Sequence, residues 1–114
     1  MRKVDLPRAL YAREAFTKVP VLTTPEVTPE RSALFLRDHP GIIVTDRDGP
    51  HLLMQGATDQ VIPVSSVDAG SVIGQCFLLL AVRDAIVVTE GGRARGILTR
   101  EMTFRAMAHS DTNG

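Results

Sequence analysis

The sequence predicts an α+β fold: two related β-α-β-β units packed about an approximate twofold, their short sheets covered by helices. Three echoes predict it. Val19-Pro20-Val21 returns as Ile62-Pro63-Val64, Ile42-Ile43-Val44-Thr45-Asp46 returns as Ile86-Val87-Val88-Thr89-Glu90, and Asp48-Gly49 returns as Gly91-Gly92. All three lie 43 or 44 positions apart. A fixed period of that length marks an internal repeat, and two stacked copies cover apolar faces that one copy leaves open. The 114 residues fit one domain. Only 4% are aromatic, so Val, Ile, Leu, Ala and Met must build the core.

The elements follow in order. Asp5 reads as an N-cap, with Leu6, Leu10 and Phe16 on one face of an N-terminal helix within residues 1–17. The first unit is expected at 18–60. Residues 19–23 are rich in β-branched side chains and read as a strand. Thr28-Pro29-Glu30 opens a helix, with a capping hydroxyl, a proline at the first helical position and an acid in the first turn. That helix carries Ala33, Leu34 and Leu36 and stops before Pro40-Gly41. The continuous apolar run at 42–45 predicts a strand buried on both faces. Asp48-Gly49 turns the chain into a return strand at 52–55.

The second unit is expected at 61–109. Residues 61–65 are strand-like, and Asp68 caps a helix whose apolar positions include Val72, Ile73, Cys76, Phe77 and Leu80. Residues 85–89 form the second central strand, Gly91-Gly92 permit a tight turn, and 95–99 return. A last helix runs from about 100 to 109, leaving 110–114 as a mobile tail. The spacing from Val27 to Ile42 is shorter than that from Val67 to Ile86, which predicts a first helix about one turn shorter. The first unit leaves no room for a closing helix at 56–60, and the N-terminal helix is expected to fill that place.

Composition narrows the function. Thirteen basic residues balance thirteen acidic ones, so neither nucleic acid nor an anionic membrane is expected as a partner. The longest apolar run, 77–82, is too short to span a bilayer. A lone Cys76 and the lack of a secretory leader predict a reducing, cytoplasmic setting. Cys76 sits among apolar residues and reads as a buried small hydrophobe, not a nucleophile. His39, His51 and His109 lack zinc-ligand spacing and read as surface residues. The glycine-rich stretch 91–96 lacks the Lys-Ser/Thr of a phosphate-binding loop, and 46–49 lacks the oxygen ligands of a calcium loop. No catalytic residue, metal ligand or resident cofactor is expected, and the chain does not read as an enzyme.

Strand, helix, strand, tight turn, strand, helix, in tandem, resembles the CBS domain pair, named for cystathionine β-synthase. The second copy carries the resemblance. Residues 84–99 are similar to that family's hairpin, which closes in Gly-apolar-x-Thr-x-x-Asp; here the motif reads Gly96-Ile97-Leu98-Thr99-Arg100-Glu101-Met102. The likeness covers about residues 18–108. It implies a regulatory module with a cleft for AMP, ATP or S-adenosylmethionine, and a homodimer. In the family the Thr hydroxyl and the Asp carboxylate hold ribose hydroxyls. Thr99 keeps the first role, while Met102 stands at the Asp position and cannot accept charge-assisted hydrogen bonds. Glu101 lies one residue early, rotated about 100° around a helix. The matching stretch Leu53-Met54-Gln55-Gly56 lacks the motif's Gly and Thr.

The resemblance therefore points to Thr99, Arg100, Glu101 and Met102 at the ligand, with Arg100 near a phosphate and the backbone around Ile86 edging the base. Thr99 reads first as a helix N-cap and Glu101 first as an acid favouring the helix dipole; for Thr99 the cap and the ligand contact can coexist. Two functions stand at this point. One is a sensor of an adenosine-containing molecule at the second motif. The other is a ligand-free, degenerate CBS module acting in dimerisation or in contact with an effector protein.

Overall fold

Two four-stranded sheets lie face to face, with helices on their outer sides. The computed structural model describes residues 10–54 and 62–113. The first half supplies β1 (Thr17–Lys18), β2 (Val21–Thr23), α1 (Pro29–Asp38), β3 (Gly41–Asp46) and β4 (Gly49–Met54). The second supplies β5 (Ile62–Pro63), β6 (Ser66–Asp68), α2 (Ile73–Leu80), β7 (Ala85–Glu90), β8 (Arg93–Thr99) and α3 (Arg100–Asn113). The sheet orders are β2-β3-β4-β5 and β1-β8-β7-β6. Each half thus lends one edge strand to the other half's sheet.

Alternation along the central strands builds the layers. Ile42 and Val44 of β3 join Leu22 and Leu53 beneath Val27, Phe35 and Leu36, on the α1 side. Ile43, one position over, meets Leu52, Ala85, Val87 and Ile97 between the sheets. Ile86 and Val88 of β7 join Leu98 beneath Ile73, Cys76 and Leu80 of α2. The continuous apolar runs at 42–44 and 86–88 are therefore buried on both faces, as their composition predicts.

The repeat holds: the echo of Ile42 in Ile86 marks true counterparts, whereas that of Pro20 in Pro63 is out of register. Gly41 pairs with Met54 as Ala85 pairs with Thr99, and Val44 with His51 as Val88 with Gly96. The register of β7 against β8 shifts between Val88 and Thr89, which adds one residue to β8. The edge strands also match at a spacing of 45: Thr17 with Ile62, Lys18 with Pro63, and Val21 with Ser66. Pro20 and Pro63 are consequently two positions apart in the fold, although their neighbours look alike.

The same register corrects the helix lengths. Val67 lies on β6 and matches Leu22, not Val27. A 3₁₀ turn at Thr24–Glu26 fills the added distance in the first half. Helix α1 has ten residues and α2 eight, the reverse of the expected order. Thr28 caps α1 as predicted, its Oγ1 accepting the Arg31 N–H at 3.1 Å. Asp68 does not cap α2. It ends β6 and accepts the Gly70 N–H at 2.8 Å, while Val72 stands at the N-cap.

The N-terminal segment departs from a helix wherever it is described. Ala12–Glu14 form one 3₁₀ turn, and β1 begins at Thr17. The reason is where the amides go: Ala12 and Arg13 N–H donate to the carbonyls of Ser71 and Ala69, at 2.8 and 2.9 Å. These two bonds knit the segment onto the second half, while its own bonds, such as Glu14 N–H to the Tyr11 carbonyl, close only a single turn. Residues 1–9 of the predicted helix, and the linker expected at 56–60, lie outside the described residues. Helix α3 continues to Asn113, past the expected end at 109 and through most of the segment read as a tail.

Candidate functional site

Everything in the site follows from one cross-strand pair. Glu90 and Arg93 close the β7–β8 hairpin around Gly91 and Gly92, whose φ angles of 61° and 79° suit a two-residue turn of mirror-image type. The ladder then runs to its far end, where Ala85 faces Thr99. Asp84, just before β7, and Arg100, just after β8, are the next residues on each side and so become neighbours. Arg100 Nη2 lies 3.3 Å from Asp84 Oδ1. Arg100 Nη1 also donates to the carbonyl of Leu80, the last residue of α2. The cation neutralises a helix C-terminus as well as an acid.

Thr99 ends the strand and starts the helix. Its Oγ1 accepts the Met102 N–H at 3.2 Å, the N-cap geometry predicted for it. Glu101 is exposed in the first turn and accepts from Arg105 Nη2 at 2.7 Å. An open depression of about 510 Å³ lies over this junction, lined by Asp84, Thr99, Arg100, Glu101 and Phe104. Phe104 is a little over half exposed and its ring stands 5.5 Å from that of Phe77, tying α3 to α2.

Three of the five residues expected at a ligand thus meet in one place: Thr99, Arg100 and Glu101. Ile86 and Met102 do not line the depression. The Ile86 side chain is fully buried under α2. Met102 packs against both the α2-side cluster and the cluster between the sheets, and its Sδ accepts from Thr17 Oγ1 at 3.5 Å. The position that carries an Asp in the family motif is here half-buried and packed against the core. Asp84 and Phe104 escape a reading of the motif alone. Counting residues back along the hairpin from Gly91-Gly92 brings Asp84 to the site, and one helical turn brings Phe104.

Gly96 turns out to be structural. A Cβ there would sit 2.1 Å from the Thr17 carbonyl oxygen and 2.6 Å from the Phe16 ring. Only glycine lets β1 lie against β8. Cys76 is fully buried, and burial pushes its thiol above the ordinary range, which keeps it protonated. His51 is half-buried rather than at the surface, with Nδ1 3.5 Å from Asp46 Oδ2. Among the described residues no three His, Cys, Asp or Glu side chains are placed to share a metal, and no helix is long and apolar enough to cross a membrane.

No protein-family model matches the sequence, and no curated protein matches it either. Solved structures do. A CBS domain-containing protein from Kribbella flavida superposes with a TM-score of 0.68 at 13% identity, over 87% of this chain and 98% of that one. The chain has the fold of a CBS domain pair. CBSX2, solved in complex with AMP, superposes on this CBS fold with a TM-score of 0.64 at 14% identity, over 89% of this chain and 98% of its own. The CBS domain pair of MJ0100, in complex with 5′-methylthioadenosine and S-adenosylmethionine, gives 0.64 at 13% identity, over 86% and 99%.

Proposed function

We propose that this CBS pair is a non-catalytic regulatory module that senses an adenosine-containing small molecule at its second unit. The junction of β8 and α3 carries the reading. It delivers Thr99 and the first turn of a 14-residue helix to a concave surface. The first N–H groups of a helix have no intrahelical acceptors and attract polar or anionic ligand atoms. Neighbours of the same fold were solved with AMP, or with 5′-methylthioadenosine and S-adenosylmethionine. In this reading Thr99 and Glu101 meet the ribose and Arg100 the substituent beyond it. The backbone around Ile86 edges the base, and Met102 supports the helix mouth from behind. Units 18–60 and 61–109 act as one body, in a cytoplasmic setting.

The same reading includes a homodimer. Leu78 of α2 and Val82, in the turn just past its end, are 76% and 78% exposed. Phe104 and Met107 of α3 are exposed as well. Such a patch, joined by the Phe77–Phe104 contact, favours a covering partner. The alternative, a ligand-free module for dimerisation or for an effector protein, is favoured by Met102, because the ribose-binding carboxylate of the family is replaced by an apolar side chain packed against the core.

Thermal unfolding with AMP, ATP and S-adenosylmethionine separates the two. A ligand at a hundred times its Kd adds about 2.7 kcal/mol of stability. Stabilisation by at least one of them, weakened in Thr99→Val, is expected. No stabilisation by any leaves the interaction module. Light scattering that finds only monomer at every concentration removes the homodimer.

A further inference from the structure

The charges around the depression say which adenosine compounds fit. Its lining holds two carboxylates, Asp84 and Glu101, and one guanidinium, Arg100. That guanidinium is already engaged by Asp84 Oδ1 and the Leu80 carbonyl. Glu101 is engaged by Arg105, which does not line the depression. A phosphate entering here must either displace Asp84 from Arg100 or lie within a few ångströms of like charge. Like charges that close disfavour one another even where solvent reaches them, which is enough to set a preference between ligands. An uncharged ribose substituent meets no such conflict. A positively charged one gains from the acids and from the exposed face of Phe104, which attracts cations.

We propose that the depression selects uncharged or cationic adenosine derivatives over nucleoside phosphates, and that Asp84 is the residue that sets this preference. The proposal rests on the reading that an adenosine-containing molecule binds at Thr99. Asp84 holds the place a phosphate would take: it neutralises Arg100 and repels a competing anion. Because its side chain is 97% exposed, Asp84→Asn removes the charge without opening the core.

Calorimetry with adenosine, AMP and S-adenosylmethionine, on the parent chain and on Asp84→Asn, tests it. In the parent, adenosine and S-adenosylmethionine are expected to bind about tenfold more tightly than AMP, the ratio that ~1.4 kcal/mol produces. In Asp84→Asn, the AMP-to-adenosine affinity ratio is expected to rise about tenfold, and S-adenosylmethionine to lose affinity relative to adenosine. The ratio cancels any general change in fold or stability. AMP binding the parent as tightly as adenosine, or a ratio unmoved by Asp84→Asn, overturns the assignment to Asp84 while leaving a ligand site intact. Silence from all three compounds with both chains overturns the site itself, and the selectivity with it.

Discussion

The two halves share a ladder but differ at its end. In the second half the ladder closes on Ala85 and Thr99, and a helix starts there under a hydroxyl cap. In the first it closes on Gly41 and Met54, so a thioether stands where the hydroxyl would be. The helices differ in kind as well. Helix α2 sets Ile73, Cys76 and Leu80 fully into the core, whereas only Ser32 of α1 is buried to that degree, with Phe35 and Leu36 half-covered. The comparison teaches that the repeat serves architecture in both halves, while the second ends its ladder in a polar junction. The second half has the deeper core and the polar junction, and the first completes its sheet.

The largest difference should come from Leu80 and its counterpart. Leu36 and Leu80 occupy matching turns, counted from the N-caps Thr28 and Val72. Leu80→Ala should cost ~4 kcal/mol in urea unfolding, because it empties a fully buried site. Leu36→Ala should cost about half as much. Equal costs would mean the halves contribute evenly to the core.

Gly96 and His51 are the next matched pair, since Val88 faces one and Val44 the other. Gly96→Val should destabilise by ~3 kcal/mol, as the new side chain drives β1 off β8. His51→Ala, on a strand whose edge partner is the two-residue β5, should cost under ~1 kcal/mol. A mild Gly96→Val would show that the exchanged strand is dispensable.

The helix caps give a smaller and sharper contrast. Thr28→Ala and Thr99→Ala each remove a hydroxyl that accepts a backbone N–H, and each should cost ~1 kcal/mol of stability. Only Thr99→Ala should also weaken adenosine binding, measured by calorimetry. If Thr28→Ala weakens it equally, the ligand does not distinguish the halves.

The smallest effect lies at Glu26 in the first half. Its carboxylate accepts the Thr23 N–H and hydroxyl, at 2.8 and 2.7 Å, and these bonds hold its pKa below the ordinary value, with Arg31 adding to them. A depressed acid contributes stability that is present above its unfolded pKa and is lost as pH falls through its folded pKa. An NMR titration should find Glu26 protonating below an ordinary glutamate, and Thr23→Ala should return it upward. An unshifted Glu26 would remove this turn as a local anchor.

Much of this was legible beforehand because apolar alternation and turn chemistry act locally. The doubly buried strands, the Thr28 cap, the Gly91-Gly92 hairpin and the Thr99 cap all follow from residues within a few positions of one another. The misreadings involve partners far away in sequence. The Pro20 and Pro63 echo fails because strand pairing, not similarity, sets register: Lys18, not Pro20, pairs where Pro63 does. From residue 10 onward the N-terminal helix gives way because the amides of Ala12 and Arg13 find acceptors more than fifty residues on. Met102 reads as a damaged ligand position until Thr17, 85 residues away in sequence, is seen beside it.

Edge strands lent across the halves make this chain two swapped protomers written in one line. A lone unit would have an open sheet edge and a spare strand, and a second copy of itself would satisfy both. A self-pairing peptide of about 45 residues needs only duplication and a linker to become this molecule. Once the copies are fused, they no longer have to be identical. A histidine and a methionine at 51 and 54 can then stand where the other copy requires a glycine and a threonine, and the chain carries an asymmetry that a homodimer of such units could not hold.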